Sequence, residues 1–528
     1  MRMNTLRYST LCIAVAALTG CKTLPSNPVT DALNINTQPK SLELKTAPDA
    51  RVWGDAEVEV INNRATDAGL VNIPVVQKYL DDLLQKIRTE AGVPEWPGKV
   101  YIKADNQFNA HTQNSGNIYV NIGLLNAMES EDEVVGLLAH EFAHSYLQYD
   151  QMQKTVIETD RASDIATTMT LIGQRINHKD LAANTKENKA MRAAAAVWAS
   201  YQLSRNLLAP AWSRGQEYAA DDMAVQLSIR MGYSVPDGWL RTLERMHSQQ
   251  KKQEELKNEQ REFLRKSFEA VRDAEFAKTQ KGGKGDVGGA VVNEVLGNLS
   301  FVGKDLTSFL TNTHPDLDKR IARVNELHDK LIGDQEWPEK RTAPWQKIKE
   351  TRSVKNLFTS YLNAGNAQAI LGTPREAEAT KLARMSLVQE SQGHALPALV
   401  NLQAQPKVDN KVLNALRANM RSPQHRAWRS YVIYADHELK NNRKASAQRT
   451  LDEGFQHFDR SILAWEDYIR MQVSMGNLDK AQAKAAECSK KFKPHEAQGC
   501  TRAAQPPQAA KDSKIAGDWS WMEGWLGR

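Results

Sequence analysis

The sequence predicts a mainly α chain in two parts: an α+β domain with a small β-sheet, followed by an all-α domain of tetratricopeptide-like (TPR-like) helical repeats. Three observations carry this expectation. Apolar residues recur at helix spacing through most of the chain, while period-two alternation is confined to two short stretches between residues 100 and 122. After Pro338 and Pro344 the pattern turns entirely helical. Late in the chain Trp428 and Tyr431 recur as Trp465 and Tyr468, 37 residues on, close to the roughly 34-residue tetratricopeptide period.

A chain of 528 residues exceeds one ordinary core. Its 41% hydrophobic and 25% charged residues fit a globular chain and exclude a disordered one. The net charge of +6 is small, and lysines and arginines are scattered among acids, so no nucleic-acid partner is expected. No Gly-rich phosphate loop or dinucleotide fingerprint follows a plausible strand.

Residues 1–20 read as a secretory signal, because Arg2 and Arg7 precede an apolar run, Leu11 to Leu18, too short to cross a bilayer. The run ends in Leu18-Thr19-Gly20-Cys21, which resembles the lipobox of bacterial lipoproteins. That resemblance implies cleavage before Cys21 and lipidation of its thiol; an ordinary signal peptide containing a cysteine is the alternative. Lys22, by resemblance to Gram-negative lipoproteins, implies the outer membrane, facing the periplasm. No later run reaches 18 uncharged apolar residues, so the membrane tether expected is lipid.

Residues 21–60, rich in Pro, Asn, Thr and Ser at their start, read as a spacer, and 61–335 as the α+β domain. Val75, Tyr79, Leu80, Leu83, Leu84 and Ile87 mark its first helix. Val100–Ala104 and Ile118–Ile122 follow as strands, with Asn114-Ser115-Gly116-Asn117 as the turn between them. Ser130 with Glu133 forms a capping box for a helix running to about Gln148, and Glu131 and Asp132 suit its positive end. Another helix, from about Ser213 to Met231, stops at Gly232. The charged, then Gly-rich stretch 247–300 reads as a surface insertion. Residues 345–503 hold the repeats and 504–528 a tail. Cys12 leaves with the signal, so Cys488 and Cys500 remain; in an oxidising compartment a disulfide between them is expected, two free thiols being the alternative.

The chemistry centres on His140-Glu141-Phe142-Ala143-His144. Residues four apart stand one helical turn above each other, so His140 and His144 can aim imidazole nitrogens at one zinc ion. Glu141 lies beside the metal, where its carboxylate can take a proton from the water that the metal activates. A third ligand is required, and Glu217 is the best candidate, in Ser213-Arg214-Gly215-Gln216-Glu217-Tyr218-Ala219-Ala220-Asp221. Glu217 and Asp221 are also four apart, so one can bind metal while the other orients a ligating histidine. Alone the pair would read as a solvated acidic face; the small Ala219 and Ala220 favour close packing on the first helix.

These motifs, with Thr313-His314-Pro315, Arg320-Ile321, Asn109-Ala110 and Gly123-Leu124-Leu125, resemble the zincin-like metallopeptidases that include HtpX and the CAAX prenyl endopeptidases. The resemblance covers about residues 65–330. In layout, with a helical-repeat tail, the chain is similar to the periplasmic β-barrel assembly-enhancing (BepA-like) proteases. It implies one Zn2+ per chain held by His140, His144 and Glu217, Glu141 as base, and Asp221 and Arg320 as orienting residues. His314 then either fills the open metal position as a gate or supports the oxyanion. Asn117, Ile118, Tyr119 and Val120 are expected to form an edge strand that an extended substrate joins, an inner core strand being the alternative. The function implied is cleavage of unfolded or misassembled envelope proteins, with the repeats recruiting substrate or outer-membrane assembly machinery. The competing reading is a periplasmic chaperone or assembly factor with little proteolysis.

Overall fold

The computed structural model describes residues 55–113, 115–147, 214–279, 316–333, 335–371, 373–405 and 409–505. The signal segment, Cys21 and His314 lie outside them, as do 280–300 of the predicted insertion.

The first helix, α1 (Ala56–Ala65), starts within the predicted spacer, because Asp55 caps it by accepting from the backbone N–H of Glu57 and Val58, both at 3.0 Å. Strand β1 (Leu70–Val71) leads to α2 (Pro74–Glu90), where Val76, Leu80, Leu83, Leu84 and Ile87 turn inward while Val75 is exposed. Strands β2 (Val100–Lys103), β3 (Ala110–Thr112) and β4 (Ile118–Asn121) complete a four-stranded sheet of order β1-β2-β4-β3.

This corrects the strand reading twice. β2 and β4 are parallel neighbours, Val100 opposite Ile118, so the turn at Gly116 joins β4 to β3 and not to β2. β4 is also an inner strand, buried throughout and paired on both sides, so Asn117, Ile118, Tyr119 and Val120 cannot offer an edge to a substrate.

After the short α3 (Ile122–Ala127) comes α4 (Glu131–Leu147), buried from Glu131 to Ser145. Its acidic first turn suits the helix dipole, but each carboxylate also has tertiary partners. Glu131 accepts from the hydroxyls of Tyr79 (2.8 Å) and Tyr233 (2.9 Å), Asp132 from the N–H of Ser234 and Arg341, and Glu133 from Arg245 at 2.6 Å. Ser130 accepts from Glu133 N–H as expected of the cap, while the Glu133 side chain reaches Glu129 N–H rather than that of Ser130.

Helix α5 (Arg214–Arg230) packs along α4 and ends at Gly232, whose φ of +71° closes the cap. A π-helical turn, Pro236–Leu240, feeds α6 (Arg241–Thr279), so the charged stretch from 247 is the continuation of a helix whose first turns belong to the domain. Helix α7 (Leu317–Ile332) packs on α5.

The rest is helical: α8 (Ala343–Lys349), α9 (Arg352–Ile370), α10 (Glu376–Ser386), α11 (Ala395–Ala404), α12 (Asn410–Arg421), α13 (Trp428–Lys440), α14 (Lys444–Phe458), α15 (Ile462–Ser474), α16 (Leu478–Lys491) and α17 (Pro494–Ala503). Consecutive helices pack closely as α16–α17 and in the pairs α9–α10, α13–α14 and α15–α16. The recurring Trp and Tyr sit buried in the first helix of the last two pairs. Cys488 of α16 and Cys500 of α17 form a disulfide.

The two parts share one hydrophobic core. Trp345 of α8 stacks on Tyr79 (ring centroids 5.5 Å apart) and donates to Met128 O at 3.1 Å, and Lys349 donates to Asn126 O and Met128 O. Asn106 donates to Tyr361 O over the bare face of Gly365. No helix among the described residues is long and apolar enough to cross a membrane.

Candidate metal centre

Helical register on α4 brings His140 and His144 to one side, their Nε2 atoms 3.0 Å apart. Glu217 reaches them from α5, with Oε2 3.5 Å from His140 Nε2 and Oε1 3.5 Å from His144 Nε2. All three side chains are fully buried, and they alone among the described residues form a group of donors able to hold a metal ion. The spacing fits such an ion. Ligand bonds of about 2.0 Å in a tetrahedron put donor atoms roughly 3.3 Å apart; the two imidazole nitrogens are 3.0 Å apart, each faces one Glu217 oxygen at 3.5 Å, and one ligand atom from each residue lies within 4.8 Å of the others.

Asp221, one turn beyond Glu217, faces the other nitrogen of His140, Oδ1 lying 3.1 Å from Nδ1. A carboxylate there fixes the imidazole tautomer and leaves Nε2 for the metal. Arg320, from α7, grips Asp221 with two bonds (2.8 and 2.7 Å) and also reaches Glu217 Oε2 at 2.6 Å. Burial works against charge on both groups. The mutual attraction outweighs it, holding the Asp221 carboxyl below its ordinary value and the Arg320 guanidinium above its own.

Glu141, also buried, meets β3: the Thr112 hydroxyl lies 2.7 Å from Glu141 O and 3.2 Å from Glu141 Oε2. Sequence reasoning missed this threonine. It also missed Trp239, which stacks on His140 (centroids 4.3 Å apart, 21° between planes), donates to Asp221 Oδ1 at 3.0 Å and lies beneath the Arg320 guanidinium. The approach depends on Gly136, four residues before His140. A Cβ there would stand 2.7–2.9 Å from the backbone and Cβ of Trp239. A glycine inside a long, otherwise well-formed helix was the available signal.

The structure therefore gathers His140, His144, Glu217, Asp221 and Arg320 into one buried cluster with Glu141 beside it. Ile118 to Val120 lie elsewhere, within the sheet, with Asn117 just before them. Asn117 instead donates to Glu59 of α1, which also accepts from Ser115 and the Tyr119 hydroxyl; burial pushes this carboxyl up despite those bonds.

A histidine pair one turn apart, a carboxylate from a second helix and a glutamate next to the first histidine define a metallopeptidase. Residues 74–328 match the model of peptidase family M48. The chain is similar to the protease HtpX homolog of Fusobacterium nucleatum, at 25% identity over 297 residues, spanning 52% of this chain and 80% of that protein. It is also similar to a Vibrio cholerae protein whose name describes a beta-barrel assembly-enhancing protease. That match has 28% identity over 93 residues and spans 18% of this chain and 19% of the relative.

Proposed function

We propose that the chain is a zinc-dependent endopeptidase of a Gram-negative envelope, tethered to the outer membrane through lipidated Cys21 and cleaving misfolded or misassembled envelope proteins. The observation that carries the peptidase part is the buried set His140, His144 and Glu217, gathered closely enough to hold one metal ion, with Glu141 adjacent. Two imidazoles and one carboxylate are donors that suit zinc and leave a position open. When bound, zinc supplies the Lewis acidity that activates water toward a peptide carbonyl.

The chain's own groups do the rest. Glu141 accepts the proton from the attacking water and returns it to the leaving nitrogen. The Thr112 hydroxyl fixes the Glu141 backbone oxygen at 2.7 Å and lies 3.2 Å from its carboxylate. Asp221, clamped by Arg320 and Trp239, keeps His140 turned so that Nε2 faces the donor cluster. The family match supports the peptidase role and the Vibrio relative's name the envelope role, and recruitment of substrate or assembly machinery is assigned to the paired helices after residue 345 as TPR-like repeats.

Purified protein should carry about one zinc per chain, lose cleavage of an unfolded protein on chelation and recover it on zinc addition. Full cleavage after complete metal removal would contradict the reading.

A further inference from the structure

Away from the metal centre, a cleft of ≈ 790 Å³ opens between α1, the sheet turns at Pro97–Lys99 and Ser115–Asn117, and the helical part at Pro423–Arg426 and His457–Phe458. Its volume is that of a small-molecule or peptide-end site. Three cations line it: Arg64 on α1, Lys99 on the sheet and Arg426 before α13. None of them pairs with a carboxylate among the described residues. Arg64 donates one Nη to Pro423 O, and its buried Nε has no hydrogen-bond partner. The Arg426 guanidinium makes a long 3.4 Å bond to Ser422 O. Both arginines are half-buried, and burial together with the Arg426 charge lowers Arg64 below the ordinary arginine value. The acid in the lining, Glu57, is taken by Arg460 at 2.9 Å.

Unneutralised, partly desolvated guanidinium groups facing one cleft favour an anion, and planar guanidinium forks suit a carboxylate. Val60, Ile61 and Phe458 add an apolar stretch to a wall that also carries Tyr101, Ser115, Asn117 and His457, so the anion should carry an apolar body. We propose that this cleft binds the C-terminal end of a polypeptide: the free carboxylate on Arg64, Arg426 and Lys99, the last apolar side chain against Ile61 and Phe458. The choice of a chain end over a lipid or free phosphate rests on the proposed peptidase reading, because an unfolded substrate presents such an end. The cleft wall also touches the peptidase helix. Gly116 packs toward Ser145, beside His144, and Ser145 Oγ accepts from Trp96 Nε1 at 2.8 Å. Bound there, a chain end tethers the substrate while an interior segment meets the metal centre.

The test uses the full chain carrying Glu141→Gln, so that nothing depends on turnover. Fluorescence anisotropy compares a labelled decapeptide ending in leucine as the free acid with the same peptide as the C-terminal amide. The free acid should bind about tenfold or more tightly, and Arg426→Gln should remove most of that difference, because charge-assisted bonds carry it. Should Arg426→Gln fail to fold, Lys99→Gln, on an exposed side chain, reads the same effect. Equal affinity for acid and amide, or an acid preference untouched by the substitutions, overturns the proposal. Displacement by millimolar inorganic phosphate would mark a general anion site, and displacement by decanoate at peptide concentrations a lipid site; either overturns it too. A negative result leaves the zinc peptidase reading intact, and binding without any cleavage by the unsubstituted protein would leave this site intact.

Discussion

Asp221 faces His140, Arg320 and Trp239 at once. Replacing it with alanine frees the His140 ring and leaves the fully buried Arg320 guanidinium with Glu217 in place of two carboxylate partners. Metal affinity should fall about 10–100-fold, as for lost partners of ligating histidines. Stability should fall by about 3–5 kcal/mol, the cost of breaking a buried ion pair. Competition against a zinc-binding dye and a thermal melt read the two effects, and a variant with unchanged affinity would remove Asp221 from its orienting role. At this scale the sequence was highly legible. His140, Glu141 and His144 share one helix, so spacing alone brings them together, and the interval between Glu217 and Asp221 works the same way. Arg320 came from resemblance. Trp239 and Thr112 were invisible, because contacts between elements leave no periodic trace.

The elements turn on how closely α4 can be approached. Gly136 lets the Pro236–Leu240 turn lie directly on the helix, and Trp239 then covers His140. Gly136→Ala improves helix propensity by roughly 1 kcal/mol yet pushes a methyl into Trp239. Overpacking of this kind costs about 1–3 kcal/mol, so a net loss of stability is expected, together with altered tryptophan fluorescence. A stabilised variant with an unchanged spectrum would contradict this packing. The helices were legible wherever apolar spacing was regular, α2 and α4 above all. The sheet was not. β3 is three residues long, too short to show alternation, and without it Val100–Lys103 and Ile118–Asn121 read as sequential neighbours rather than parallel partners. The misplaced edge strand follows from that omission.

At the scale of the molecule, the two parts predicted as separate domains share a core, and a pair of histidines lies at their junction. His394 and His425 stack with centroids 4.2 Å apart; His425 Nδ1 accepts from Asn72 N–H at 3.3 Å, and His394 Nδ1 lies 3.0 Å from the Tyr361 hydroxyl. Burial, then His425, pushes His394 down to about 3; burial, then Arg64, pushes His425 down to about 4. Both stay neutral in the fold while an unfolded chain protonates them near 6.5. The unfolded state therefore takes up more protons below pH 6.5, so their contribution, complete above it, is lost as pH falls toward 4. Melting temperature should drop across that window, and His394→Gln should flatten the drop. An unchanged slope would remove this pair from the acid sensitivity. The junction was illegible in the sequence, because nothing local marks Trp345 as the residue that docks on Tyr79.

The central claim is that Glu141 is the base and His140, His144 and Glu217 are the ligands of one catalytic zinc, and Glu141→Gln separates those roles. The variant should keep about one zinc per chain, as it loses no ligand, while its cleavage of an unfolded protein falls by at least about a hundredfold. A Glu141→Gln protein that binds zinc and still cleaves at the unsubstituted rate would contradict the account.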